Sequence, residues 1–140
     1  RRLGCGEVIL LDTHVWIWLL GDGRRLSATA RKEIDKHTEA RRPSTVCISA
    51  ISVWELFMLV KKGRLVLSVP PAAYVSQTRK DPVMEIIPVD DAIARRSVEL
   101  PDHHADPADR IILATAAEHG LPIVTQDGLF ESYGVAEIIS

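Results

Sequence analysis

The sequence predicts a doubly wound α/β domain, a central parallel sheet flanked by helices, and three observations carry that prediction. Val8-Ile9-Leu10-Leu11 is an unbroken apolar run ending in Asp12, the pattern of a strand buried on both faces of a parallel sheet. Short runs of this kind alternate with longer stretches of helical periodicity, and helix-capping residues stand at the junctions. At 140 residues the chain has the size of one domain with a sizeable core. Strand and helix in alternation require right-handed crossovers that cover both faces of the sheet. Ligands of such sheets sit outside the carboxyl ends of the strands, where the strand order reverses.

The elements follow in order. After strand one, a helix through Trp16 and Leu20 closes at the Gly21-Asp22-Gly23 turn, and Ser27 then caps a polar helix running to about Ala40. Residues 45–49 read as strand two. Ile51, Trp54 and Met58 recur at helical spacing, and Gly63 follows Lys61-Lys62 as a C-terminal stop, so the third helix carries Glu55. Pro70-Pro71 opens a further helix. Residues 84–89 form a third strand before Asp90 caps a helix through Leu100. Asp106-Pro107-Ala108-Asp109 has the chemistry of a helix start, namely a capping acid, Pro at the first helical position and an acid in the first turn; this helix runs to His119-Gly120. Residues 121–125 form a strand ending near Asp127, and a short last strand lies within 135–139.

Composition narrows the function. Apolar residues make up 46% and charged residues 26%, ordinary soluble usage that excludes a disordered or fibrous chain. No apolar run approaches the ~18–20 residues of a spanning helix. Residues 1–7 lack an initiator Met and a signal-length apolar stretch, and read as a flexible, trimmed start before a single domain over 8–140. Cys5 lies in that start and Cys47 in a strand, as a small buried hydrophobe and not half of a bridge; a reducing cytoplasm is expected. With 17 basic and 19 acidic residues, net −2, any contact with nucleic acid must be local. The basic pairs Arg24-Arg25, Arg31-Lys32, Arg41-Arg42, Lys61-Lys62 and Arg95-Arg96 read first as solvated helix faces, and the sequence singles out none as a phosphate track.

Four carboxylates lie where this topology can bring them together: Asp12, Glu55, Asp109 and Asp127. Each has a structural reading. Asp12 caps a helix, Asp109 favours a helix N-terminus, and Asp127-Gly128 is turn chemistry. Glu55 differs, because Val53, Trp54, Leu56 and Phe57 surround it in sequence and an unpaired buried carboxylate is costly. Converging carboxylates repel one another. A hard divalent ion, Mg²⁺ or Mn²⁺, offsets that repulsion, since it prefers oxygen ligands and keeps several waters. It also activates water and neutralises charge developing on a phosphoryl group, so phosphodiester hydrolysis follows without a nucleophilic side chain.

Five segments carry a resemblance: Leu10-Leu11-Asp12-Thr13-His14, Ser52-Val53-Trp54-Glu55-Leu56, Leu100-Pro101 with His103-His104, Asp106-Pro107-Ala108-Asp109-Arg110, and Val124-Thr125-Gln126-Asp127. In order and spacing the chain resembles the PIN-domain family, and within it the VapC-type toxins of type II toxin-antitoxin pairs. The resemblance implies a PIN-like fold and a metal-dependent endoribonuclease using Mg²⁺ or Mn²⁺ on single-stranded or loop RNA. It also implies a homodimer and a cognate VapB-like antitoxin. Asp12, Glu55 and Asp109 match the family's three principal acids, and Asp127 its less regular fourth.

Between Asp106 and Asp109, only Asp109 is followed at helical spacing by the apolar face of Ile112, Leu113 and Ala116, while Asp106 is accounted for as the cap. Thr13 and Thr125 are candidate hydroxyl donors to the neighbouring carboxylates, or ordinary backbone caps. Arg110 reads as an ion-pair partner, with phosphate contact as the alternative. His103-His104 lacks the ligand spacing of a zinc site and reads as a loop or interface pair. Trp16, Trp18 and Trp54 are core or dimer-contact candidates before base-stacking platforms. Three rivals remain at this level: a non-toxin PIN nuclease in RNA processing, a non-enzymatic α/β binding module, and another metal phosphohydrolase. A receiver-like module would end its late strand near a Lys, where this chain has Thr125-Gln126-Asp127. The Asp-x-Asp phosphatases need a second acid that Asp12-Thr13-His14 lacks.

Overall fold

The computed structural model describes residues 8–102 and 106–140. Five strands, β1 (Ile9–Leu11), β2 (Val46–Ser49), β3 (Met84–Ile87), β4 (Ile123–Val124) and β5 (Ile138–Ile139), form one sheet in the order β3-β2-β1-β4-β5. Every pairing is parallel, and Leu11 lies opposite Ile48 on one side and Val124 on the other. The chain builds outward from β1 first to β2 and β3, then returns to lay β4 and β5 on the opposite side. The strand order therefore reverses between β1 and β4, and the crevice expected of this topology opens at their carboxyl ends.

Side chains of the central strands alternate between two buried faces. Ile9, Leu11, Val46 and Ile48 join one core with residues of α1 (Thr13–Leu20), α2 (Ala28–Glu39), α3 (Ala50–Lys61) and α4 (Pro71–Lys80). Leu10 and Cys47 join the other, with α5 (Asp91–Glu99), α6 (Pro107–His119) and a 3-10 helix over Gly128–Tyr133. Covering both faces is why these strands read as continuous hydrophobic runs.

The capping chemistry is as the sequence predicts. Ser27 Oγ accepts from Ala30 N at 3.0 Å, a carboxylate oxygen of Asp90 accepts from Ile93 N at 2.9 Å, and Gly120 closes α6 in the left-handed conformation with φ 67°. Helix α3 ends the same way at Gly63, φ 71°, where Arg64 N folds back to donate to Leu59 O at 2.9 Å.

The strands are shorter than expected. β3 stops at Ile87 because Pro88 has no N–H to continue the ladder, and β4 shrinks to two residues after Pro122 for the same reason. Cys47 is buried and free, its thiol pushed up to about 12 by burial and by Glu85, which makes it an inert hydrophobe as expected. Trp16 is fully buried and donates from its indole nitrogen to Thr78 Oγ1 at 3.0 Å. Trp18 is partly buried against the same core, and Trp54 is 56% exposed, so of the core or dimer-contact candidates only Trp54 lies outside the core. No helix among the described residues is long and apolar enough to cross a membrane. The start at 1–7 with Cys5, and the pair His103-His104, lie outside the described residues.

Candidate metal centre

A cleft of about 450 Å³ opens at the carboxyl ends of β1 and β4. Asp12, Glu55, Asp106, Asp109 and Asp127 all line it, together with Thr13, His14, Trp18 and Gln126. The four acids expected from the sequence are thus gathered in one place, and Asp106 stands with them.

Local folding puts each acid there. Asp12 is the residue at which β1 stops and α1 begins, so one carboxylate oxygen, Oδ1, caps the helix by accepting from Val15 N at 2.9 Å. The other, Oδ2, accepts from the Thr125 hydroxyl, whose oxygen in turn accepts from Asp127 N at 3.1 Å. Thr125 thereby ties the end of β4 to the end of β1. Asp127 caps the 3-10 helix through Leu129 N at 3.0 Å. Asp106 caps α6, accepting from Ala108 N at 2.9 Å, and Asp109 sits in the first turn of that helix. Glu55 is brought across from the middle of α3, where the Thr13 hydroxyl donates to its Oε1. Ser52 lies 2.8 Å from the same Thr13 oxygen; with the Thr13 proton committed to Glu55, Ser52 is the donor of that pair.

Both threonines therefore act on carboxylates. Ser52, His14, Trp18 and Gln126 are cleft or support residues to which the sequence reading gave no site role. Each lies inside a segment that carried the resemblance, except Trp18, whose helical spacing suggested core or a dimer contact. Gln126 braces the rim, accepting from Ser27 N at 2.9 Å and donating to Arg25 O at 3.2 Å.

Arg110 is not among the residues lining the cleft. Its guanidinium reaches across to the end of α5 and donates to the carbonyls of Ser97 at 3.0 Å, Pro101 at 2.8 Å and Leu100 at 2.8 Å. The carboxylate of Asp102, 3.7 Å away, is fully exposed. Arg110 thus meets an acid, as the sequence led us to expect, and also satisfies carbonyls that a helix C-terminus leaves open.

The electrostatics of the cleft are those of crowded, partly dried acids. Burial pushes Asp109 up to about 8, with Asp106, Glu55, Asp127 and Asp12 adding repulsion in the same direction. Asp12 and Glu55 are also raised, first by burial, against the lowering effect of their threonine partners and of His14. A set of oxygen donors that resists ionisation together is chemically suited to a hard divalent cation. As the side chains stand, no group of three or more acids among the described residues is drawn into a closed coordination shell. An open ring of carboxylates fits Mg²⁺ better than an all-protein cage, because this ion keeps several waters and takes one or two carboxylates at a time.

Comparison with known proteins agrees with this architecture. The family model of the PIN domain matches residues 9–136. Ribonuclease VapC22 of Mycobacterium tuberculosis is 33% identical over 126 residues, which cover 89% of this chain and 91% of that protein. Among solved structures, VapBC2 from Rickettsia felis, bound to a DNA fragment from its promoter, aligns with a TM-score of 0.69 at 15% identity over 94% of this chain and 96% of that one. VapBC-5 from Mycobacterium tuberculosis, a member of the VapBC family of toxin-antitoxin systems, aligns with a TM-score of 0.57 at 27% identity over 95% and 98%.

Proposed function

From the premise that this chain belongs to the PIN domain family, we propose that it is a VapC-type endoribonuclease, the toxin of a toxin-antitoxin pair, which hydrolyses RNA phosphodiester bonds with Mg²⁺ or Mn²⁺ at Asp12, Glu55, Asp109 and Asp127. The observation that carries the reading is the gathering of these acids, from three separate segments of the sheet edge and from α3, into one cleft at the point of strand reversal. When bound, a divalent ion would supply water activation and charge neutralisation at the phosphoryl group.

The chain's own residues do the positioning. Thr125 fixes one oxygen of Asp12, and Val15 N fixes the other, so that this carboxylate cannot swing out of the cleft. The chain from Ser52 through Thr13 to Glu55 does the same for the acid of α3. Burial of Asp12 and Thr13 excludes water from the floor, which strengthens every electrostatic interaction above it. The partners are an RNA substrate, a VapB-like antitoxin and a second copy of the chain, acting in the cytoplasm.

The reading is tested by following cleavage of end-labelled RNA. Chelator should stop it and Mg²⁺ or Mn²⁺ restore it, while Asp12→Asn, Glu55→Gln and Asp109→Asn should each lose it with the fold retained. Expression of the wild-type chain alone should arrest growth, and Asp12→Asn should be tolerated. Full cleavage in chelator, or by all three folded variants, would remove the mechanism.

A further inference from the structure

A second cleft of about 240 Å³ adjoins the acidic one and shares Glu55 and Asp106 with it. Its other lining residues differ in kind. Trp54 and Met58 come from one face of α3, Lys62 and Arg64 from its C-terminal turn, and Pro107 from the start of α6. One end is therefore acidic and continuous with the candidate metal centre, the middle is aromatic and apolar, and the far end is basic.

Charge and exposure say what such a cleft takes. Lys62 and Arg64 are exposed, and neither makes an ion pair among the described residues. Two cations without a carboxylate partner, side by side on a chain of net charge −2, form a local anion-attracting spot beside an acid-rich one. Their placement is built in, since Gly63 in the left-handed conformation turns the chain back so that Arg64 lies against the end of α3. The seven-residue step from Glu55 to Lys62 separates the acidic and basic ends by about 10 Å along the helix axis, room for a nucleotide or two.

The tryptophans distinguish this cleft from the opposite rim. Trp18 borders the acidic cleft too, but the Arg25 guanidinium lies over its ring at 5.0 Å from the centroid and the His14 ring tilts against it at 5.9 Å. Among the described residues Trp54 has no such ring or cation contact, and it is 56% exposed in a protein that buries Trp16 completely. An exposed indole between a hydrolytic centre and two unpaired cations has the composition of a single-stranded nucleic-acid subsite, in which bases stack and basic groups follow the backbone.

We infer that the cleft between α3 and the start of α6 is a nucleotide subsite of the substrate RNA, in which Trp54 stacks on an unpaired base next to the scissile phosphate and Lys62 and Arg64 hold the adjoining backbone. The inference rests on the nuclease reading and extends it. It requires the substrate to be unpaired at that nucleotide, because a base inside an RNA helix has no free face to offer.

The test uses the full chain and a fluorescein-labelled, mixed-sequence, single-stranded RNA decamer, with affinity read by anisotropy at low salt in EDTA so that no cleavage intervenes. Trp54→Ala should weaken binding roughly 5- to 150-fold. Trp54→Phe should recover most of it, since a phenyl ring keeps the stacking face. The double variant Lys62→Ala/Arg64→Ala should make the dependence of log K on log salt shallower by about 1.4, the value for two phosphate contacts on a single strand. A duplex of the same length should bind Trp54→Ala and wild type alike. Sedimentation of each variant accompanies the titrations. Wild-type failure to bind the decamer, unchanged affinity in Trp54→Ala, an unchanged salt slope in the double variant, or loss of binding that tracks loss of a dimer would each overturn the subsite; the last would mark the cleft as a contact between copies. Cleavage with Mg²⁺ separates the two levels. If wild type cleaves RNA and these variants bind and cut as it does, the subsite fails and the nuclease stands; if the decamer binds through Trp54 and nothing is ever cut, the nuclease fails.

Discussion

Replacing Asp109 by Asn should stabilise the metal-free protein at alkaline pH, and the size of the effect follows from the cleft. In the folded chain burial and four neighbouring acids push Asp109 up from its ordinary 3.8 to about 8. The unfolded chain releases this proton near pH 4 while the folded chain holds it, so stability falls as pH rises between about 4 and about 8 and is lowest above that window. A shift of this size corresponds to roughly 6 kcal/mol at one extreme. Asp109 is only half-buried, and solvent screening reduces the contribution to about half, near 3 kcal/mol. Asn carries no charge and escapes the penalty. In chelator at about pH 8.5, Asp109→Asn should therefore melt higher than wild type by roughly 6–12 °C, and at pH 4 the two should converge. Added Mg²⁺ should narrow that gap, because an ion at one hundred times its Kd stabilises an intact site by about 2.7 kcal/mol and a depleted one by less. The assay is a set of thermal melts at the two pH values, with and without metal. Wild type melting above Asp109→Asn in chelator at pH 8.5, or equal melting of the two at both pH values, would show that Asp109 is satisfied by the protein and that the cleft has no excess negative charge for a cation to relieve.

Two further outcomes separate residues that the sequence left close together. Asp106→Asn should reduce cleavage far less than Asp109→Asn, because Asn still accepts from Ala108 N as a helix cap; its loss of charge should also lower the pKa of Asp109 and flatten the pH dependence of stability. Equal losses of activity, with weaker metal affinity in Asp106→Asn measured calorimetrically, would place Asp106 among the ligands. Arg110→Ala should lower the melting temperature by roughly 4–16 °C, the effect of about 2–4 kcal/mol from stranded carbonyls at the end of α5, with cleavage per folded molecule retained. A variant that melts like wild type yet binds RNA poorly would instead put Arg110 on phosphate.

The fold was legible because its signals are local and redundant. Strand β1 ends at Asp12, Ser27 and Asp90 cap the helices they were expected to cap, and Gly63 and Gly120 end α3 and α6 where a positive φ is needed. The acids were legible for the same reason, since Asp12, Asp106, Asp109 and Asp127 all fall at element boundaries that the pattern locates. What lay beyond reach depends on contacts distant in sequence. Ser52 joins the site only through an oxygen 39 residues away. The direction taken by Arg110 depends on where α5 ends, and the difference between Trp16 and Trp54 depends on which side of a mostly apolar helix faces the sheet. Periodicity blurs when nearly every position is apolar, as in α3.

The capping role and the proposed chemical role of these acids fall on the same residues, and this changes what neutralising them should do. Asp12, Asp106 and Asp127 each accept from the first-turn amides of a helix, and Asp109 lies within such a turn, so four carboxylates are set against the positive ends of helix dipoles. Those fields favour the acids where, among the described residues, no lysine or arginine lines the cleft. Glu55 has no helix end to lean on. It sits in mid-helix and depends on the hydroxyl of Thr13, itself held by Ser52. An asparagine at 12 or 106 keeps a cap while losing a charge, whereas the position of Glu55 rests on the hydroxyl of Thr13 from α1, held by Ser52 of its own helix. The site is thus anchored by backbone amides along the sheet edge and by side-chain hydroxyls alone at α3.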